Sequence, residues 1–217
     1  KILRENGDAA TKQRMNIGNY GSALGSVGSY LKSLMPAFSI AAVVGFGKAM
    51  FEAAEKAAIS NGRLMYALKG NVVQFQQLTS LNAQFRKTAG ISGTELRQIE
   101  TMAAAANLST SQIKAITKAT VEFSAITGND LQSSYSTLIK TFGGVARGLK
   151  VLGPEYSNLT TAQLKNGAAI DLINKNLSGF AAKSATESQK LSAEWKALMV
   201  TLGDSERGPI NGAISGI

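Results

Sequence analysis

SGTELRQIETMAAAANLSTSQIKAITKATVEFSAITGNDLQSSYSTLI, running from Ser92 to Ile139, is the stretch whose reading decides the fold. Ser92 with Glu95 and Ser109 with Gln112 have the spacing of a capping box. In that arrangement the first side chain accepts from the backbone N–H three residues on, and the later side chain reaches back. Asn129 with Gln132 is a looser version of the same signal. Behind these starts the apolar residues recur at helical spacing. Ile113, Ile116, Phe123 and Ile126 mark one stripe, and Leu131, Tyr135, Leu138, Ile139 and Phe142 follow i, i+4, i+7, i+8, i+11. No window combines β-branched alternation with hairpin turns. The reading is an all-α chain.

The same grammar extends outward. Thr160 with Gln163 repeats the capping box. Gly90, Gly128, Gly143-Gly144, Gly179 and Gly203 stand where helix C-terminal caps are expected. Upstream, Leu64, Leu68, Val72, Phe75, Leu78 and Phe85 recur at three or four residues through a segment ending before Gly90. Near the end, Leu191, Trp195, Leu198, Met199 and Leu202 form another amphipathic stripe. About seven to nine amphipathic helices are expected, joined by short glycine-capped turns.

The first third differs in texture. Lys1–Met15 is polar, and Asn16–Ser29 places Gly18, Gly21, Gly25 and Gly28 on roughly one helical face. That is either a helix packing closely against a neighbour or a flexible lead-in. LMPAFSIAAVVGFGKAMF, Leu34 to Phe51, carries no charge between Lys32 and Lys48. A bilayer crossing needs roughly 20 apolar residues, and Pro36, Gly45 and Gly47 interrupt this run. It reads either as a buried helix with Pro36 in its first turn, or as a segment kept inside a protein sheath that enters a membrane on release. The expected divisions are 1–33, 34–60, 61–203 and 204–217.

Composition narrows the function. The 217 residues contain no cysteine and no histidine. Thiolate chemistry, imidazole bases, Ser-His-Asp triads and the usual zinc hydrolases are thereby excluded. The 23 basic and 14 acidic residues leave a formal charge of +9. The cations are scattered, so they form either a solvated face or a surface for a polyanion.

Nothing in the chain assembles a catalytic or cofactor site. The phosphate-loop pattern is absent, and FGGVARGLKVLG lacks the preceding strand a glycine-rich nucleotide loop would need. Glu95, Glu100, Glu122, Glu155, Glu194, Asp130 and Asp171 are the acidic candidates. No two are paired by sequence, and most are read as lying at helix starts or on polar faces. No metal-ligand spacing occurs. The reading is therefore no catalytic, cofactor-binding or metal-binding residues, and no enzyme. Contact with a membrane or partner falls to Phe38, Ile40, Val43, Val44, Phe46, Met50 and Phe51. Trp195, the sole tryptophan, is read as a core anchor or an interface anchor.

In order, GFGKAMFEAAEKAA (Gly45–Ala58), the phrases from Phe85 to Leu138, LKVLGPEYSNLTTAQLKNG (Leu149–Gly167) and ATESQKLSAEWKALMVTLGD (Ala185–Asp204) resemble the tail tape measure proteins of long-tailed phages. Each phrase is only a cap and an amphipathic helix; their order and spacing carry the resemblance, from about Ser39 to Gly203. It implies a long helical protein in the tail tube whose length sets tube length, and which helps DNA cross the host envelope on infection. It implies partners too: other copies of the chain, three or six about the tail axis; tail-tube and tail-tip proteins; the host membrane; and nonspecific contact with phage DNA. It places the chain in the virion tail, in the host cytoplasm during assembly, and in the envelope after ejection. A stand-alone helical pore former, using the same apolar segment, is the alternative.

Overall fold

The computed structural model describes the backbone of residues 40–214 and the side chains of residues 48–201, 203 and 204. The glycine-rich lead-in and Pro36 lie outside the described residues. Contacts divide the chain into two compact units, Ala53–Thr201 and Lys1–Glu52 with Leu202–Ile217.

The described residues are mostly helical and contain no strand, as the capping signals lead one to expect. Seven helices have nine residues or more: α1 (Ile40–Ala67), α2 (Val72–Ala89), α3 (Gly93–Ala105), α4 (Thr110–Thr127), α5 (Leu131–Ile139), α8 (Ala168–Asn176) and α10 (Glu187–Ile214). Between α5 and α8 come two 3₁₀ segments, Lys140–Gly143 and Arg147–Leu152, and the short helices α6 (Pro154–Ser157) and α7 (Thr161–Lys165). The five-residue α9 (Phe180–Ser184) precedes α10.

The Ala53–Thr201 unit is organised about α4, which packs against α2, α3, α5, α8 and α9. Its Ile113, Ile116, Ala119 and Phe123 are buried in one core with Leu78 of α2, Ile99 and Ala103 of α3, Tyr135 and Leu138 of α5, and Ile170 and Ile173 of α8. A smaller core joins Leu81, Phe85 and Ala89 to Leu96, Val121 and Ala181. Burying one such isoleucine or leucine contributes about 1.5–3 kcal/mol. Helices shorter than about 12 residues are marginal alone, so α5 and α8, at nine residues each, depend on this packing.

The local signals divide into those the structure keeps and those it moves. Complete capping boxes form at Ser92–Glu95, Ser109–Gln112 and Thr160–Gln163. A fourth, Thr186 with Gln189, opens α10 and has the same visible spacing. The expected cap at Asn129 sits one residue later. Asp130 accepts from the Ser133 N–H at 2.8 Å and from the Ser133 hydroxyl at 2.7 Å. A turn one residue longer before α5 leaves Asn129 to bond through its backbone, its carbonyl accepting from the Ser124 hydroxyl at 2.6 Å.

Three further expectations are corrected. The segment from Leu64 to Phe85 is two helices, not one: Lys69 and Gly70 adopt left-handed φ of 54° and 76°, Asn71 caps α2, and Val72 is exposed. Gly90, Gly128 and Gly144 are left-handed stops as expected, but Gly179, at φ 83°, precedes α9 as its N-cap. Gly203 stops nothing, since α10 continues to Ile214.

The Leu191–Leu202 stripe is also redistributed. Leu191 is 72% exposed and Trp195 51%, while Ala193 and Met199 are buried. At Gly90 an added Cβ would lie 2.7 Å from the backbone carbonyl carbon of Gln189, so the start of α10 rests directly on the end of α2. Ala193 lies on the buried side of α10 and Trp195 does not. Trp195 therefore does not anchor the core of this unit.

Candidate interaction surface and buried polar sites

Among the contact residues read from the sequence, Phe38 and the side chains of Ile40, Val43, Val44 and Phe46 lie outside the described residues. Met50 is half-buried and Phe51 half-exposed on α1. Farther along the same helix, Ile59 and Tyr66 are exposed, Tyr66 at 88%. Spaced eight and fifteen residues after Phe51, they share its side of the helix, while Ala54, Ala57 and Leu64 occupy the buried side. The carboxyl-terminal half of the domain exposes a second apolar set, Leu191, Trp195 and Leu198 at i, i+4, i+7 on α10. No helix among the described residues is long and apolar enough to cross a membrane.

Two open clefts are present in the Ala53–Thr201 unit. One, of about 410 Å³, is lined by Gly90, Glu95, Gln98, Ser124 and Asp130 among others. Both of its carboxylates are engaged in helix caps, Glu95 with Ser92 and Asp130 with Ser133. The other, of about 500 Å³, is lined by Gln84, Thr88, Lys114, Lys118, Glu122 and Asn174 among others. There Lys114 donates to Gln77 Oε1 at 2.6 Å, and Asn174 Nδ2 donates to the Ala115 carbonyl at 2.9 Å. The carboxylates of the first cleft thus cap their own helices, whereas Lys114 and Asn174 of the second tie α4 to α2 and α8.

The most unusual chemistry is inside. Glu100 and Glu122, two of the acidic candidates read from the sequence, are both buried. Glu122 Oε1 accepts from the Gly179 N–H and Oε2 from the Ala181 N–H, each at 2.8 Å. It thus satisfies the free N–H groups at the start of α9. Glu100 is treated differently. Asn82 Nδ2 donates to Glu100 Oε2 at 3.0 Å, while Glu100 Oε1 and Asn82 Oδ1 have no partner. Burial pushes the Glu100 carboxyl up to about 7, against the opposing pull of the Asn82 hydrogen bond and the Arg97 charge. Arg97 itself is held below its usual value, chiefly by burial.

Both acids carried a readable signal. Glu100 falls at the i+4 position of the stripe Leu96, Ile99, Ala103, a place where an apolar residue is expected. Glu122 likewise adjoins Val121 and Phe123 between core positions. Among the described residues no group of three or more acidic side chains is arranged to hold a metal ion.

The family model described as prophage tail length tape measure protein matches residues 11–166. No curated protein and no solved structure matches the chain.

Proposed function

The chain belongs to the prophage tail length tape measure protein family, its role is that of a phage tail tape measure, and we propose that it sets tail length during assembly and then aids DNA passage through the host envelope. The match over residues 11–166 carries this reading. A chain of helices supports it, because a helix advances by a fixed 1.5 Å per residue and so converts residue number into distance. The chain acts by structure and contact, without catalysis. Its partners are further copies of itself about the tail axis, three or six in number, the tail tube and the tail-tip proteins. The apolar run Phe38–Phe51 meets the host membrane on release, and the scattered cations make passing contact with phage DNA. The stand-alone pore former is the weaker reading, since family membership assigns the chain to tails.

The test is tail length, by electron microscopy, in particles whose gene carries an in-frame deletion or duplication of helical sequence outside this segment. Length that follows the edit at about 1.5 Å per residue supports the ruler. Unchanged tails overturn it. For delivery, Val43→Asp with Val44→Asp should impair DNA entry while tails form at full length, because a charge at a membrane-helix centre costs about 2.5–3.5 kcal/mol. Normal injection by such particles removes the membrane step.

A further inference from the structure

We propose that the Asn82–Glu100 pair is a proton-controlled latch on the helical domain: the protonated carboxyl holds α2 to α3, and its ionisation loosens them. This inference stands independently of the role in tail assembly.

The geometry comes first. Glu100 is 0% exposed and its carboxyl has one hydrogen bond, from Asn82, eighteen residues away on the neighbouring helix. One oxygen of each side chain is buried without a partner. Three more buried hydroxyls without a partner, Thr79 on α2, Thr117 on α4 and Ser134 on α5, belong to the helices packed against α3. Each helix packed on α3 thus buries an under-satisfied polar side chain, as α3 does with Glu100. A carboxylate there accepts one hydrogen bond where it could accept several, and an ionised carboxylate so placed is strongly disfavoured. A carboxylic acid removes the charge and adds a donor. Glu122 is the internal control, a buried carboxylate whose two oxygens each receive a backbone N–H.

The charged surroundings do not rescue the ion. The ionisable groups on the packed helices are Arg86 and Lys87 of α2, Lys114, Lys118 and Glu122 of α4, and Tyr135 of α5. On its own helix α3 carries Glu95 and Arg97. Of these, Arg97 alone acts appreciably on Glu100, and burial outweighs it, leaving the carboxyl near 7 against an ordinary 4.5. The group binds a proton more tightly folded than unfolded, so its contribution is complete below the unfolded value. It is lost as pH rises through the folded one. The ratio of folded to unfolded chain should fall by roughly two orders of magnitude from this group between pH 4.5 and 8.

The experiment is chemical denaturation of the full chain from pH 4.5 to 8, beside Glu100→Gln, with the carboxyl titration of Glu100 followed by carbon-13 NMR. Glutamine keeps the acceptor for Asn82 and cannot ionise. The latch predicts a Glu100 midpoint near 7, a stability that falls across this window, and a fall abolished in E100Q. A Glu100 midpoint in the ordinary carboxylate range overturns it, as does an E100Q chain that keeps the full slope. If E100Q does not fold, the titration in the unaltered chain decides alone.

Discussion

The Gly179 N–H donates to Glu122 Oε1 at 2.8 Å, joining the start of α9 to the middle of α4 across 57 positions of sequence. With the Ala181 N–H on Oε2 at the same distance, the carboxylate takes the place of two missing intrahelical carbonyls. Glu122→Gln presents an amide NH₂ to one of those N–H groups. We expect a loss of about 2–3 kcal/mol, since a buried donor is left facing another donor. Equilibrium denaturation checks it, and an unchanged midpoint would show the carboxylate to be dispensable.

Gly90 and Gly128 form a matched pair. Both have left-handed φ, 67° and 72°, but a Cβ at Gly128 meets nothing within 4 Å, whereas at Gly90 it meets the Gln189 backbone at 2.7 Å. Gly128→Ala should cost about 1–2 kcal/mol from backbone strain alone. Gly90→Ala should cost clearly more, because backbone must also move, and should loosen the start of α10. Equal costs would mean that α10 does not rest on Gly90 in solution.

The cap before α5 separates two neighbours. Asp130→Ala should lower the melting temperature, while Asn129→Ala should leave it nearly unchanged, because Asp130 supplies the cap and Asn129 engages through its backbone. The hydrogen bonds from Ser133 hold the Asp130 carboxyl below its ordinary 3.8. Its contribution is therefore present above that value and lost as pH falls through the lower, folded one. Glu100 acts with the opposite sign at the other end of the scale. A pH series of D130A should lack part of the acid-side loss; the reverse order of effects for the two substitutions would return the cap to Asn129.

Leu191 tests the exposed face of α10. Being 72% exposed, it should tolerate Leu191→Ser within about 0.5 kcal/mol. Ile113→Ala, at a buried core position, should cost about 2–5 kcal/mol. A large loss in L191S, read by thermal melting, would place that face in the folded core. A loss confined to tail assembly would assign it to a partner.

The sequence made the helix starts legible because each capping box lies within four consecutive residues and needs no tertiary partner. Ser92, Ser109 and Thr160 were readable for that reason, and Thr186 with Gln189 had the same form. The Asn129–Asp130 step was not, because either residue can cap and only the length of the preceding turn chooses. Periodicity also failed where it ran on: Leu68 and Val72 keep helical spacing across a break made by Lys69 and Gly70. The exposure of Trp195 was hidden because a stripe marks which residues share a face, not which face packs against the rest of the unit. As for the site, the seven contact residues were legible only as an apolar run. The two buried glutamates were masked by an expectation that acids stay at helix starts, although Glu100 interrupts an apolar stripe.

The capping boxes have a kinetic consequence. Bonds that span three residues close early, with little loop entropy to overcome. By contrast Glu122 must wait for Gly179, and Arg86 must find Glu194 at 3.2 Å across 108 positions. Folding of the Ala53–Thr201 unit should therefore begin at the α3–α4–α5 run and finish with the arrival of α10. In pulse-labelling exchange, amides of α10 would gain protection last.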